Sequence, residues 1–311
     1  MATESDRTPS PLPTGHDGAN VATCAVGHRT HSGTCAGCQQ AQALRHAAQL
    51  NAAIKANARW KACSLPEEQR RKRELNALSW VGRIRDALDE HRLVLYAQPI
   101  IDVLSRNVVM YELLLRMVDH DGTIIAPGRF LPAAEQFGLI EDIDRWVIIE
   151  AARLAAGGLK VHFNISGKSL GSRLLISDLV RTLRDTGADP GLLVCEITET
   201  TLASDEAAAQ WFAHEFAALG CGIALDDFGG FTRFKRLPFT TLKIEIEVVR
   251  DLLGSPKNQR VVKAIVDLAQ GFGRKTMALG VEAQATLALL QEYGVDYAQG
   301  FAIGRPAPID T

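Results

Sequence analysis

No run of 18 apolar residues occurs in the 311-residue sequence, so no stretch reads as a helical membrane span. The opening residues, Met1-Ala2-Thr3-Glu4-Ser5-Asp6, lack the basic and apolar regions of a secretory leader. A cytoplasmic chain is therefore expected, with its six cysteines free or metal-bound rather than bridged. A strong charge of one sign is also missing. The formal net charge is -2, so nothing global argues for a nucleic-acid partner. No Gly-x-Gly-x-x-Gly loop follows any apolar run, which counts against an open doubly wound sheet that cradles a dinucleotide. What is present is an ordinary soluble composition, 47% apolar and 23% charged.

The charges divide unevenly. Residues 1–92 hold 13 Lys+Arg against 9 Asp+Glu, and the remainder 21 against 27. Three segments follow. Residues 1–38 form a tail rich in Pro, Ser, Thr and Gly, expected to be disordered. It carries Cys24, His28, His31, Cys35 and Cys38. That spacing leaves two readings open: a structural zinc knot closed by Cys-x2-Cys, or a flexible tail with incidental Cys and His. Residues 39–92 read as a helical strut. Gln39 to Cys63 has no Pro or Gly, and Ser64-Leu65-Pro66-Glu67 has the form of a capping box. In the helix that follows, Leu75, Leu78, Val81, Ile84 and Leu88 form one apolar stripe, a packing strut or a dimer seam. Arg70-Arg71-Lys72-Arg73 reads as a solvated face.

From residue 93 to 311 the pattern changes. Strand-like runs at Leu93–Ile101, Val108–Met117, Val161–Ser166, Leu192–Glu199, Gly222–Phe228, Thr241–Glu245, Lys275–Val281 and Tyr297–Ile303 alternate with helical ones. Eight strands with helical connections predict an α/β fold, a modified TIM (β/α)8 barrel preceded by the helical extension. Only Asp102–Asn107 joins the first two strands. That is hairpin length, so the first strand is expected to be antiparallel to the second.

Polar residues recur within or just after these strands: Gln98, Glu112, Asn164, Glu196, Asp226, Lys243 and Gln299. The parallel strands of a barrel bring their C-terminal ends to one mouth. There Glu112, Asn164, Glu196 and Asp226 would offer an all-oxygen set suited to Mg²⁺ or Mn²⁺. Lys243 would steer a phosphate or orient a water. Asp226 and Asp227 adjoin and repel, and burying both calls for a cation or donors; alone, the pair could equally be a solvated turn. A metal site of this kind activates water for phosphodiester cleavage.

These blocks, in this order, resemble the EAL family, which hydrolyses cyclic di-GMP to linear pGpG. The signature Glu-Ala-Leu is here Glu112-Leu113-Leu114, with Arg116 after it. Asn164-Ile165-Ser166, Glu196-Ile197-Thr198-Glu199, Asp226-Asp227-Phe228-Gly229, Leu242-Lys243-Ile244 and Gln299-Gly300-Phe301 match further blocks. The resemblance implies metal held by Glu112, Asn164, Glu196 and Asp226, with Asp227 assisting. It implies an attacking water oriented by Lys243, and ligand or metal-water support from Gln98, Arg116 and Gln299. It also implies a loop after Asp227 anchored by Glu199.

Two departures from the family pattern bear on activity. The seventh strand usually reads Ala-Glu-Gly-Val-Glu; here it is Ala278-Leu279-Gly280-Val281-Glu282, so the catalytic glutamate position is Leu279. The loop after Asp226-Asp227-Phe228-Gly229 reaches Leu237-Pro238 about four residues early, relative to what the resemblance implies. The expectation is a cyclic di-GMP sensor or effector with hydrolysis lost or strongly impaired, retaining Mg²⁺ or Mn²⁺, with a single ion as one reading. The alternatives are an active phosphodiesterase and a nucleotide-independent interaction module. A homodimer through the barrel or the 67–90 helix, and a protein partner, are further expectations. No diguanylate cyclase signature precedes the barrel.

Overall fold

The computed structural model describes residues 67–198, 201, 204–226 and 237–309, with side chains from residue 77 onward. The Cys/His cluster at 24–38, the helix expected over 39–63 and the cap at Ser64 lie outside the described residues. So do Glu199, Asp227 and the shortened loop.

The first described element is helix α1 (Glu67–Asp89). A closed barrel follows. Strands β1 (Leu93–Asp102) and β2 (Val108–Val118) pair antiparallel along nearly their whole length. Strand β3 (Ile124–Ile125) extends the outer end of β2, and helices α2 (Leu131–Phe137) and α3 (Ile140–Ala156) lead to β4 (Val161–Asn164). Then come α4 (Arg173–Thr186), β5 (Leu193–Thr198), α5 (Glu206–Ala218) and β6 (Gly222–Asp226). The chain continues with β7 (Thr241–Ile244), the short α6 (Ile246–Arg250), α7 (Pro256–Gly271) and β8 (Lys275–Ala278). Helix α8 (Gln284–Glu292), β9 (Tyr297–Gln299) and β10 (Ala307–Pro308) complete it.

Strands β2, β4, β5, β6, β7, β8 and β9 are parallel neighbours in that order. Strand β1 closes the ring by pairing antiparallel with both β2 and β9. This is the modified TIM barrel expected, and the five-residue turn between β1 and β2 is its cause: nothing that short can carry a parallel crossover.

Alternation along each strand divides the core. Outward residues such as Phe163, Cys195, Ile197, Ile223, Leu225, Leu242 and Ile244 are buried against the helices in one continuous apolar layer. Inward, a small plug of Ile100, Met110 and Met277 fills the barrel. Each helix start has a local reason. Ser172 Oγ accepts from Leu175 N–H (3.3 Å), Asp205 Oδ1 from Ala208 N–H (3.0 Å), and Ser255 Oγ from Asn258 N–H with Pro256 in the first turn.

Helix α1 corrects one detail. Its packed face is Trp80, Ile84 and Ala87, with Ala77, Val81 and Leu88 beside them, while Leu78 is 53% exposed. Val81, Ile84 and Leu88 of the expected stripe thus lie on the contact face, and Leu78 does not. The face belongs to the chain's own core. Trp80 is further covered by the Arg83 guanidinium, 4.0 Å from the ring centroid.

Candidate functional site

Neighbouring strands place the polar residues at nearly one level. Glu112 on β2 is in register with Gln98 on β1 and His162 on β4. Asn164 is in register with Glu196 on β5, and Asp226 with Thr198 one step further along. Gln299 on β9 sits opposite Ile100. Glu112 is the fifth residue of an eleven-residue strand rather than its last, because β2 runs on past the mouth to pair with β3.

Two hydrogen-bonded chains line the mouth. In the first, Gln299 Nε2–H donates to Glu112 Oε2 (2.7 Å) and to Gln98 Oε1 (3.1 Å). Gln98 Nε2–H donates to the Gly304 carbonyl (3.1 Å), and Asn164 Nδ2–H to Glu112 Oε1 (3.3 Å). In the second, Lys243 Nζ donates to Glu196 Oε2 (2.6 Å) and, at 3.4 Å, to Asp226 Oδ2. The other oxygen of Glu196 meets His162 Nδ1 at 3.0 Å.

The electrostatics follow from burial and charge. Burial pushes the Glu112 carboxyl up to about 7, and the nearby Glu196 charge adds to it. For Glu196, burial opposes ionisation, but the Lys243 ammonium and the His162 bond outweigh it and hold the carboxyl down at about 2. Burial also opposes the Lys243 charge, and Glu196, Glu112 and Asp226 overcome it, so the ammonium stays protonated. Burial lowers the His162 pKa, which keeps the ring neutral. Nδ1–H is then the donor, since an ionised Glu196 can only accept.

The donor chemistry of the mouth suits a hard divalent cation: Glu112, Glu196 and Asp226 supply carboxylates, and Asn164 an amide oxygen. Glu112 is the group that most needs one, being buried and under repulsion. Among the described residues, however, no three His, Cys, Asp or Glu side chains are grouped tightly enough to hold an ion as they stand.

Arg116 stands apart, roughly 13 Å further along the strand than Glu112 at about 3.3 Å per residue. Its guanidinium lies 5.4 Å from the Tyr96 ring centroid and donates to the Leu115 carbonyl (2.7 Å). It forms the outer rim. Leu279, one step past the end of β8, packs on the Ile100–Met110–Met277 plug, beside Tyr297. Glu282, three residues on, is exposed. An apolar group thus occupies the inner wall between β7 and β9.

The loop after β4 is held from outside the barrel. Ser166 N–H donates to Asp144 Oδ2 (3.0 Å) and Ser166 Oγ–H to Glu135 Oε1 (3.0 Å). Asp144 is buried on α3, which pushes its carboxyl up to about 7. His162 and Asp144 were both absent from the sequence reading. Alternation puts His162 on the strand face of Asn164, two residues away, but does not name its partner. Nothing in the sequence pattern tied Asp144 to the loop.

Comparison with known proteins agrees with this geometry. Residues 81–306 match the EAL domain. The chain belongs to the EAL domain family. One relative of this EAL chain is the cyclic di-GMP phosphodiesterase PdeB of Shewanella oneidensis, 36% identical over 247 residues, which are 75% of this chain and 29% of PdeB. Another is the bifunctional diguanylate cyclase/cyclic di-GMP phosphodiesterase MucR of Pseudomonas aeruginosa, 34% identical over 73% of this chain and 35% of MucR. The EAL chain thus spans about a third of the length of these relatives. Among solved structures it is similar to the PaMucR phosphodiesterase in complex with c-di-GMP (33% identity, TM-score 0.68, covering 74% of this chain and 98% of that one). It is also similar to the FimX EAL domain from Pseudomonas aeruginosa bound to c-di-GMP (29%, TM-score 0.69, 73% and 96%). No helix among the described residues of the EAL chain is long and apolar enough to cross a membrane.

Proposed function

We propose that this EAL domain binds cyclic di-GMP as a sensor or effector and has lost, or nearly lost, its hydrolysis. The observation that carries the reading is Leu279, an apolar side chain on the barrel's inner wall at the position where the family pattern has its catalytic glutamate. Leucine neither accepts a proton nor holds a water. Loss of a general base costs about 10²–10⁴ in rate.

The rest of the mouth supports ligand binding. Gln98 and Gln299, hydrogen-bonded to each other, would meet the ligand, and Arg116 at the rim would meet a phosphate. A divalent cation, Mg²⁺ or Mn²⁺, would be held by Glu112, Asn164 and Asp226, with Glu196 as the further oxygen group and Asp227 outside the described residues. It would supply positive charge to the phosphate oxygens and polarise the phosphorus. The catalytic roles proposed for Lys243, Asp227 and Glu199 belong to the active reading. Self-association through the barrel or through α1, and the passing of the signal by α1 to a protein partner, belong to the same proposal. The zinc reading of Cys24, His28, His31, Cys35 and Cys38 stands as a separate proposal.

A second reading, an active phosphodiesterase, is favoured by relatives such as PdeB. Incubation of purified protein with cyclic di-GMP and Mg²⁺ or Mn²⁺ decides between them. The sensor reading predicts no pGpG above background, and turnover would establish the enzyme instead. Calorimetry with cyclic di-GMP and Ca²⁺ separates both from a nucleotide-independent module, which would give no heat of binding.

A further inference from the structure

The end of the barrel opposite the mouth holds a cavity of about 180 Å³, where a single water needs only about 10–15 Å³. Its wall is made where the parallel strands begin. Lys160 stands just before β4, and Gly222, Thr241, Lys275 and Tyr297 are the first residues of β6, β7, β8 and β9. Met110, the third residue of β2, closes the inner side, and it belongs to the plug that fills the barrel. The cavity has a local cause. Alternation sets Gly222 on the inward face with Ala224 and Asp226, and a glycine there contributes no side chain to the floor. Gly191 and Gly220, both exposed, leave the rim open to solvent.

The wall is rich in donors that the chain leaves unmatched. Among the described residues, the Lys160 ammonium and the Thr241 and Tyr297 hydroxyls have no hydrogen-bond partner, although Thr241 is buried. Lys275 Nζ gives one N–H to Asp296 Oδ1 (2.7 Å) and keeps two. No Asp or Glu lines the cavity. The carboxylates that the wall feels from outside it are turned to other donors. Asp296 Oδ2 accepts from Thr276 N–H (2.9 Å) and Oγ1–H (3.1 Å), Asp102 Oδ1 from Ser105 N–H (2.7 Å), and Asp189 Oδ1 from Gly191 N–H (2.8 Å).

We infer that this floor cavity is a second binding site, for a compact oxyanion of the phosphate type, held by Lys160, Lys275, Thr241 and Tyr297. Three arguments support it. The first is charge: two ammonium groups face a wall without a carboxylate, and an anion supplies the missing negative charge. The second is donor geometry. The donors arrive from separate strands, which suits the four oxygens of a tetrahedral anion. A planar carboxylate is matched best by a guanidinium fork, and no arginine lines the wall. The third is room, since the volume admits such an ion together with some of its water. The site is separate from the mouth and does not depend on what the mouth binds.

The test uses the full chain, inorganic phosphate as the probe, and methionine methyl groups labelled with ¹³C. Among the described residues, Met110 is the only methionine in the cavity wall; Met117 and Met277 lie elsewhere in the core. Met110→Leu assigns its signal. At constant ionic strength, phosphate is expected to shift the Met110 methyl saturably in the millimolar range, and chloride is expected not to. Lys160→Met keeps the side-chain bulk and removes the charge. It should weaken phosphate binding at least tenfold, the loss of one charged hydrogen bond. Tyr297→Phe, which removes only a hydroxyl, should weaken it several-fold. Arg116→Ala, at the far end of the barrel, should leave the phosphate titration of Met110 unchanged. The inference would be overturned by the absence of a saturable Met110 shift, by an equal shift with chloride, or by native-like phosphate binding in folded Lys160→Met. Loss of the shift in Arg116→Ala would place the anion at the mouth instead, and acetate binding as tightly as phosphate would overturn the tetrahedral assignment.

Discussion

At the scale of single residues, function turns on which groups face inward. Leu279 sits on the apolar plug with Met277, two residues before it on the same strand face. Leu279→Glu returns a carboxylate to that wall. If the missing base is the decisive defect, the variant should form pGpG about 10²–10⁴ times faster than the native chain, measured by chromatography with Mn²⁺ present. If turnover stays at background, the defect lies in the shortened loop instead. Arg116→Ala tests the rim. Losing one charged hydrogen bond to a phosphate costs about 1.5–3 kcal/mol, so cyclic di-GMP affinity should fall at least tenfold while the melting temperature hardly moves. The matching blocks made Glu112, Asn164, Glu196, Asp226, Lys243 and Gln299 legible from sequence. His162 was not legible in the same way, because a histidine in an apolar run carries no chemistry until its partner across the sheet is known. Its importance comes from the register that brings Asn164 beside Glu196 and places His162 one layer below.

At the scale of elements, the sequence was most informative where periodicity and connection length coincide. Six of the eight barrel strands fall within the runs expected, β1 and β2 overrun theirs by one residue, and the short β1–β2 link announced the antiparallel strand. The helices between the strands were expected without boundaries, although Ser172 before α4 and Gly187 after it, at φ 68°, are ordinary helix ends. The stripe on α1 was right at Val81, Ile84 and Leu88 and wrong at Leu78, and it left out Trp80 and Ala87. The contact face can be checked directly. Trp80→Ala should cost about 3–5 kcal/mol, as truncation of a buried aromatic does, whereas Leu78→Ala, at an exposed position, should stay within about 0.5 kcal/mol; urea unfolding distinguishes the two. The turn after β9 is equally constrained. A Cβ at Gly300 would lie 2.2 Å from both the N and the O of Val281, and Val281 N–H donates to the Gln299 carbonyl. Backbone cannot yield as a side-chain tip can. Gly300→Ala should therefore destabilise by more than about 2 kcal/mol and, because Gln299 is adjacent, weaken ligand binding as well.

At the scale of the whole molecule, the barrel concentrates acids in places where burial opposes their ionisation, and this sets how stability varies with pH. Asp144 and Glu112 rise from ordinary values of 3.8 and 4.5 to about 7 in the folded chain, chiefly through burial. An acid with a raised folded pKa binds its proton more tightly when folded than when unfolded. Its contribution is complete below the unfolded pKa and is lost as pH climbs through the folded value. Asp144 and Glu112 should each remove up to about 1.4 kcal/mol of stability per pH unit between roughly pH 4 and 7. Glu196 has the opposite shift, to about 2, and its contribution is lost only as pH falls below the ordinary carboxylate range. Asp144→Asn isolates one of the two raised acids, since an amide oxygen still accepts from Ser166 N–H without titrating. Thermal melts of the nucleotide-free chain in matched low-salt buffers should show the native protein losing more stability than Asp144→Asn between pH 5 and 7.5. Parallel curves would mean that Asp144 ionises normally and that its burial is relieved by solvent. Adding cyclic di-GMP at a hundred times its dissociation constant should restore about 2.7 kcal/mol at any pH where it binds. If Glu112 must ionise to receive the cation, that gain should grow as pH rises through about 7 in Ca²⁺ and stay flatter without divalent cation.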